Sequence, residues 1–170
     1  MSGKYPSRNP GDRGGQRPGG RGQEEPRQNQ ALAQFQLLIQ RQRFTDDEVM
    51  RLSDDLGKSL TVNPQGRGER EGKENTRTQV RKFYNLVRAT NTSASSLETK
   101  TETVKLRLRT LQAQVAYAVA RKTISPDFKK LFDASLDKII NSGDLKGALD
   151  DFAKFFEALY AYFYFHSEVR

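Results

Sequence analysis

The sequence predicts an all-α fold: a compact bundle of five to six helices behind a disordered Gly/Arg/Pro-rich N-terminal tail. Three observations favour this class. Apolar residues recur at spacings of three and four from residue 31 onward, several of these segments open with helix-capping signals, and no convincing pair of strands remains. We therefore expect a disordered basic tail over residues 1–30 and a helical-bundle domain over residues 31–170, long enough to bury a core.

The tail is defined by its composition. Residues 1–30 hold seven of the 13 Gly and four of the six Pro, with almost no aliphatic side chains. Such a segment cannot bury enough apolar surface to offset the entropy of ordering. Its Arg-Gly steps at residues 13–15 and 21–22 resemble segments that bind nucleic acid weakly by charge. A passive solubilising tail is an equal alternative.

Two helices are predicted before residue 61. Residues 31–43 carry apolar side chains at helical spacing, and Thr45 with Glu48 forms a capping-box pattern that predicts a second helix running towards Leu60. The Asn-Pro-Gln-Gly run that starts at Asn63 predicts a loop that reaches Asn75.

The third helix is predicted to have two separate faces. Thr76 and Gln79 form another capping box at its start. At roughly 100° per residue, the apolar side chains fall on one side, and a basic stripe falls within an arc of about 60° elsewhere. The apolar side consists of Val80, Phe83 and Val87, and the stripe of Arg77, Arg81, Tyr84 and Arg88. The polar run at residues 90–96 predicts a break or a frayed end after Ala89.

Three more helices complete the bundle. The fourth is predicted from Glu102 to Lys122, and the fifth begins with Ser125 as N-cap and Pro126 at its first position and stops at residues 142–144. Their predicted buried stripes are Val104, Leu108, Leu111, Val115 and Ala118, then Phe128, Leu131, Phe132, Leu136 and Ile139. The last helix follows with a strict 4,3,4,3,4 stripe of Leu145, Leu149, Phe152, Phe156, Leu159 and Phe163.

Aromatic residues are concentrated at the C-terminus, where residues 152–165 contain half of the 16 aromatic side chains. The apolar stripe uses only three of them. A helix that is apolar on more than one side either threads the centre of the bundle or docks against another protein. Burial within the bundle is the favoured interpretation, a protein interface is the second, and base stacking is the third.

The charge balance favours a polyanionic partner. The chain has 29 Lys plus Arg against 21 Asp plus Glu, a formal net charge of +8. Guanidinium groups match phosphate geometry, so the stripe suits a phosphodiester backbone, although a solvated helix face is the alternative. Further basic candidates are Lys105, Arg109, Arg121, Lys122, Lys129 and Lys130.

Catalytic and metal-binding chemistry is not visible in the sequence. The chain has no Cys and one His, and neighbouring acidic residues on a helix point about 100° apart, so its Asp-Asp pairs form no pocket by themselves. No apolar run approaches the roughly 20 residues that span a bilayer. We expect a soluble cytoplasmic protein that is not an enzyme, with no cofactor, metal or membrane partner.

Three ordered blocks carry a resemblance to a known family. Residues 78–85 read TQVRKFYN, residues 108–122 read LRTLQAQVAYAVARK, and residues 152–163 read FAKFFEALYAYF. In this order they resemble the small subunit of type III-A CRISPR effector complexes, the Csm complexes, over roughly residues 31–166. The resemblance implies an all-helical, non-catalytic antiviral protein that self-associates as a dimer or as stacked copies. It would contact guide RNA and target RNA, together with the large and backbone subunits.

The resemblance also ranks the candidate site residues. Arg81 and Lys82 match the family's first basic pair, and Arg121 and Lys122 match the second. The full set of RNA-binding candidates is Arg77, Arg81, Lys82, Arg88, Lys105, Arg109, Arg121 and Lys122. The predicted function is phosphate-backbone binding without sequence specificity, combined with bridging of other subunits. The rivals are a helical protein-protein scaffold whose basic face meets acidic partners and, less favoured, a metal-dependent nuclease using Asp54 or Asp151.

Overall fold

The computed structural model describes residue 1, residue 3 and residues 29–61, 75–96 and 99–169 of the chain. These residues form six helices, and no strand occurs among them. The all-α class and the predicted number of helices are confirmed. The helices are α1 (Gln30–Leu38), α2 (Asp47–Thr61), α3 (Arg77–Ala94), α4 (Thr101–Ala120), α5 (Pro126–Ile140) and α6 (Leu145–Glu168). The predicted tail lies almost wholly outside the described residues, as does most of the predicted loop after α2.

Helix α6 is the centre of the bundle. It packs against α2, α3 and α5, while α4 packs against α3 and α5, and α1 packs against α2 and α5. The predicted buried stripes of α4, α5 and α6 are all confirmed. Phe155 is an addition to them: it lay outside the predicted stripe, yet it is fully buried and stacks on Phe35 with the ring centroids 5.0 Å apart. Burial within the bundle thus accounts for Phe152, Phe155, Phe156 and Phe163, whereas Tyr162, Tyr164 and Phe165 are exposed.

Helices α2 and α6 approach each other closely at Gly57. A Cβ atom added to Gly57 would lie 2.8 Å from the backbone N of Phe163 and 2.9 Å from Cβ of Tyr162. Only a residue without a side chain fits there, and an added methyl group would force the two helices apart.

Two of the predicted helix starts are confirmed. Oγ1 of Thr76 accepts a hydrogen bond from the backbone N–H of Gln79 at 3.4 Å, and Oγ of Ser125 accepts from that of Phe128 at 3.1 Å. The capping box predicted at Thr45 and Glu48 is wrong. Helix α2 begins at Asp47, and the Glu48 carboxylate accepts from Nε2 of Gln42 at 2.6 Å.

Three predicted helix ends also differ. Helix α1 stops at Leu38 rather than at residue 43, because the chain turns to bury Phe44 in the core. Helix α3 continues to Ala94 without the predicted break. Thr90 and Ala94 are both buried, and Oγ1 of Thr90 donates to the Leu86 carbonyl at 2.8 Å, so the buried side of the helix extends through the polar run. Helix α4 ends at Ala120, two residues early, because Lys122 adopts a positive φ of 57°.

One buried polar residue joins three helix ends. Asn75 lies just before α3 with a φ of 60°, a left-handed conformation that Asn adopts more readily than most residues. Its Nδ2 donates to the Leu60 carbonyl and to Oγ of Ser125, both at 2.9 Å, and its Oδ1 accepts from the Ser125 backbone at 2.8 Å. The end of α2 and the starts of α3 and α5 are thereby held together.

Candidate functional site

Helix α3 is the only one of the six helices that carries several cations and no acidic residue. Its 18 residues include Arg77, Arg81, Lys82 and Arg88 but neither Asp nor Glu. None of these four charged side chains belongs to the buried side of the helix. The outward side, which we call the α3 outer face, consists of the exposed residues Thr78, Arg81, Lys82, Asn85, Arg88, Ala89 and Thr92. Every charge on this face is positive.

Arg81 and Lys82 are the least engaged cations of the α3 outer face. Among the described residues, neither has an ion pair or a hydrogen bond, and the single contact of the Lys82 ammonium is with the neighbouring Phe83 ring, 5.9 Å from its centroid. No acidic residue lies three or four positions away on the helix to neutralise them. Their charge is therefore available to an external anion.

Arg77, in contrast, is bound to the end of α6. Its Nε donates to Oγ of Ser167 at 2.9 Å, one terminal nitrogen donates to the Ser167 carbonyl at 2.6 Å, and another pairs with the Glu168 carboxylate. The guanidinium also lies 5.3 Å from the centroid of the Tyr164 ring. A cation is favoured at a helix C-terminus, so Arg77 serves the contact between α3 and α6.

Tyr84 belongs to the packing of α3 against α6. Its ring stacks on that of Tyr160, with centroids 4.7 Å apart and an interplanar angle of 11°, and it is partly buried against the core. Tyr84, which the sequence placed in the basic stripe, is therefore a packing residue at the border of the two faces. Arg88 lies over the outer side of the same ring, with its guanidinium carbon 5.6 Å from the centroid, and keeps its exposure.

Arg88 also lines a shallow polar cleft between α3 and α6. The opposite wall carries Asp150, whose carboxylate pairs with Nζ of Lys154 at 2.7 Å and accepts from Nδ2 of Asn91 at 3.1 Å. These two hydrogen bonds, chiefly that from Lys154, lower the pKa of Asp150 below its ordinary value. Asp150 therefore stays ionised and balances part of the positive charge at this end of the α3 outer face.

The two candidates on the body of α4 are neutralised locally. Nζ of Lys105 lies 3.3 Å from the Glu102 carboxylate one turn earlier, and a terminal nitrogen of Arg109 lies 2.8 Å from Oδ1 of Asp137 on α5. The weaker candidates on α5 are neutralised in the same way, with Lys129 paired to Asp133 and Lys130 to Asp127. Cations in such pairs attract an external phosphate less strongly than free ones.

The second basic pair lies at the turn between α4 and α5. Arg121 is held over the Tyr117 ring, with its guanidinium carbon 5.7 Å from the centroid, whereas Lys122 is exposed and its ammonium makes no hydrogen bond or ion pair with the described residues. The carbonyl of the next residue, Thr123, accepts from the backbone N–H of Thr76, the N-cap of α3. The structure thus brings Lys122 to the end of α3 that carries Arg81 and Lys82.

The acidic pairs act as internal partners. Asp151 is buried and accepts from the Arg43 guanidinium at 2.7 Å, which raises the pKa of Arg43, and Asp54 lies 2.5 Å from Nε2 of His166. Within residues 29–61, 75–96 and 99–169, no cluster of acidic and His side chains has the arrangement of a metal site. In the same ranges, no helix is both long enough and apolar enough to cross a membrane.

These features define a class of protein: a small all-helical bundle in which one helix presents an outer face with positive charge only. A family model described as Csm2 Type III-A matches residues 54–168, about two thirds of the chain, from the middle of α2 to the end of α6. The chain therefore belongs to this family and is a small subunit of the type III-A CRISPR effector complex, the Csm complex. No curated protein and no solved structure matches it.

Proposed function

We propose that this subunit binds the phosphate backbone of guide RNA and target RNA without sequence specificity, and that it bridges the large and backbone subunits. It acts in more than one copy and contributes no catalytic group of its own. The observation that carries the proposal is the α3 outer face, where the adjacent cations Arg81 and Lys82 have no acidic partner in the described part of the chain. If the positive charge served only solubility, there would be no reason for acidic residues to be absent from this particular helix.

The mechanism is electrostatic. A backbone phosphate that approaches Arg81 and Lys82 replaces condensed counterions, and the counterions released supply much of the binding free energy. The guanidinium of Arg81 can hold one phosphate through two hydrogen bonds, while Lys82 acts as a point charge beside it. None of these contacts reaches a base edge, so the affinity is independent of sequence.

The expected contribution of each remaining candidate to RNA binding depends on whether an acidic side chain already neutralises its charge. Lys122 adds a cation without an ion pair among the described residues at the N-terminal end of α3. Arg88 and Arg121 keep exposed guanidinium groups whose partners in the same part of the chain are tyrosine rings and hydroxyls, with no acid paired to either. Arg77, Lys105 and Arg109 must first give up an ion pair. We expect Arg81, Lys82 and Lys122 to contribute most and these three paired residues to contribute least.

The test is the double variant Arg81→Ala/Lys82→Ala in the assembled complex. The slope of log affinity for RNA against log salt should become shallower by about 0.7 for each phosphate that the variant no longer binds. Lys129→Ala/Lys130→Ala is the matched control, because it removes an adjacent pair of cations that is already neutralised on α5. Equal slopes for the two double variants would refute the proposed RNA-binding face.

The scaffold alternative predicts a different result. If the α3 outer face meets acidic protein surfaces, partners should remain bound to the chain after RNase treatment, and no RNA fragment should be protected. The same pulldown with Arg81→Ala/Lys82→Ala separates the two functions. An RNA face loses protected RNA and keeps the protein partners, whereas a scaffold face loses the partners.

A further inference from the structure

The polar cleft between α3 and α6 contains a cation and an anion that do not pair with each other. Its volume is about 220 Å³, and its lining residues are Arg88, Asn91 and Thr92 of α3 and Asp150, Ala153, Lys154 and Glu157 of α6. Arg88 and Glu157 are both exposed, and neither forms an ion pair with any described residue. The cleft therefore has a free guanidinium and a free carboxylate.

The other charged groups of the cleft already have partners. One oxygen of Asp150 accepts from Nζ of Lys154 at 2.7 Å, and the other accepts from Nδ2 of Asn91 at 3.1 Å. Lys154 is also the cation nearest to Glu157 along α6, and its pairing with Asp150 leaves Glu157 without a neighbour of opposite charge on its own helix.

Arg88 and Glu157 lie at the same level on facing walls of the cleft. Helices α3 and α6 run antiparallel, and Tyr84, one turn before Arg88, stacks on Tyr160, one turn after Glu157. The Arg88 guanidinium is held against the Tyr84 ring, with its carbon 5.6 Å from the centroid, and donates to the Tyr84 hydroxyl at 3.5 Å. A group that enters the cleft thus meets a donor on one side and an acceptor on the other.

The cleft lies on the path of a strand bound to the α3 outer face. Arg88 and Thr92 belong both to that face and to the lining of the cleft. Arg88 lies seven residues after Arg81, about 10 Å along the helix axis. A nucleic-acid backbone that follows the face from Arg81 and Lys82 therefore passes the open side of the cleft.

Charge alone does not explain an exposed carboxylate at this position, because phosphates repel it. Along a nucleic-acid backbone, the phosphate and ring oxygens only accept hydrogen bonds, whereas the 2′-hydroxyl of ribose both donates and accepts. A carboxylate only accepts and a guanidinium only donates. The 2′-hydroxyl is thus the one backbone group that can bond to both Glu157 and Arg88.

We propose that this cleft recognises the ribose 2′-hydroxyl of the bound strand and thereby selects RNA over DNA. The hydroxyl donates to the Glu157 carboxylate and accepts from the Arg88 guanidinium. DNA has no donor at this position, so its backbone meets only repulsion from Glu157. The inference rests on the proposed function, because it requires a backbone along the α3 outer face. It adds the kind of sugar that the face accepts and involves no base.

The test compares the affinities of the full-length chain for single-stranded oligonucleotides of one base sequence with ribose or 2′-deoxyribose. Using the chain alone ensures that no other subunit contacts the sugar. We expect RNA to bind about tenfold more tightly, as one hydrogen bond to a charged group allows. Equal affinities for the two strands would overturn the proposal.

The variant Glu157→Gln separates recognition from simple repulsion. It removes the charge that repels DNA, so the affinity for DNA should rise several-fold. RNA also loses its bond to a charged acceptor, so its affinity should change little and the ratio of the two affinities should fall towards one. If Glu157→Gln raises both affinities equally, the acid only repels phosphates and the proposal is wrong.

Asp55→Asn is the matched control. Asp55 is an exposed acid of α2 that has no ion pair or hydrogen bond among the described residues, so its loss changes the net charge by the same amount away from the cleft. The preference for RNA should remain tenfold in this variant. A preference that falls as far as in Glu157→Gln would show that net charge, and not the cleft, sets it.

A strand of 2′-fluoro RNA tests whether the hydroxyl or the shape of the sugar is recognised. It retains a sugar geometry like that of RNA but cannot donate, so the parent chain should bind it as weakly as DNA. Affinity equal to that of RNA would overturn the proposal. Arg81→Ala/Lys82→Ala should weaken the binding of RNA and DNA alike and preserve their ratio, so the proposed phosphate site and the proposed sugar site can fail separately.

Discussion

Helices α3 and α5 each carry two adjacent cations on an exposed surface, and the two pairs are in opposite states. On α5, Lys129 lies beside Asp133 and Lys130 beside Asp127, so both charges are neutralised within their own helix. On α3, Arg81 and Lys82 have no acid within one turn. Adjacent cations therefore do not by themselves make a binding face. What distinguishes the proposed RNA face is the absence of acids three and four positions away.

The largest change in RNA affinity is expected when acidic residues are placed beside the cations of α3, as they are on α5. Thr78→Asp/Asn85→Asp places carboxylates one turn before and one turn after the Arg81-Lys82 pair, both at exposed positions. We expect RNA affinity of the complex to fall by more than about tenfold, measured by equilibrium binding near physiological salt. An acid at residue 78 lies in the first turn of α3, where it favours the helix, so unfolding does not explain the loss.

The neutral variant Thr78→Asn serves as the control for that experiment. It introduces a polar side chain of similar size at the first of the two positions without its charge, and it should retain the parent affinity. Full affinity in Thr78→Asp/Asn85→Asp would show that α3 does not face the RNA.

A smaller effect separates free from paired cations within α3. Arg81→Ala should weaken RNA binding several-fold and leave the melting temperature unchanged, since the Arg81 guanidinium makes no hydrogen bond or ion pair in the described structure. Arg77→Ala should leave RNA binding unchanged and lower the melting temperature. It removes the hydrogen bonds to Ser167 and the pair with Glu168, worth about 1 kcal/mol, which lowers the melting temperature by roughly 3 °C.

Thermal unfolding and RNA titration on the same two samples check this crossed pattern. If both variants lose affinity equally with unchanged melting temperatures, the contact of Arg77 with the end of α6 is not maintained in the complex.

Removing the acids that neutralise the cations of α5 should have a smaller effect on RNA binding. Asp127→Asn/Asp133→Asn frees Lys129 and Lys130, yet these residues lie on a different helix from the proposed RNA face. We expect the salt dependence of RNA binding to change by less than one bound phosphate, a slope difference below about 0.7. If the slope steepens by as much as it becomes shallower in Arg81→Ala/Lys82→Ala, then any unpaired pair of cations is sufficient for RNA binding, whichever helix carries it.

The smallest effect, a change in stability with pH, is expected at Asp150. Its carboxylate pairs with Lys154 on the same helix, as the acids of α5 pair with lysines of α5. Its pKa is lowered in the folded chain, so its stabilising contribution is complete above the unfolded value near 4 and is lost as the pH falls through the folded value. Asp150→Asn should therefore be slightly less stable than the parent at pH 7, and its stability should decline less below pH about 4. The effect is small because the side chain is 47% exposed.

Urea unfolding at a series of pH values between about 3 and 7 measures this difference. A stability gap between Asp150→Asn and the parent that widens as the pH falls would contradict the sign of the shift.

The sequence predicted the parts of the fold that depend on local signals. Ser125 and Pro126 mark the start of α5 because a side-chain cap and a fixed φ act within one turn. The end of α3 was missed because Thr90 and Ala94 are small and partly polar, and their burial depends on neighbouring helices. Hydropathy alone did not reveal that the buried side continues through them.

The candidate site was predictable in its residue types but not in its partners. By helical position alone Arg77 and Arg81 are equivalent, since both occupy the basic stripe of α3. They differ because the C-terminus of α6, some ninety positions away, lies beside one and not the other. The same holds for Arg109, whose partner Asp137 comes from a neighbouring helix. Long-range pairs of this kind follow from the packing and have no local pattern.

The hydrogen bond from Asn75 to the Leu60 carbonyl fixes the distance between two points of the chain that are 15 residues apart. With both ends fixed, the entropic cost of closing the segment between them rises by only about 0.6 kcal/mol for each doubling of its length. A fluorescent or affinity tag inserted between residues 61 and 75 should therefore leave Leu60 and Asn75 in place and preserve the orientation of the α3 outer face.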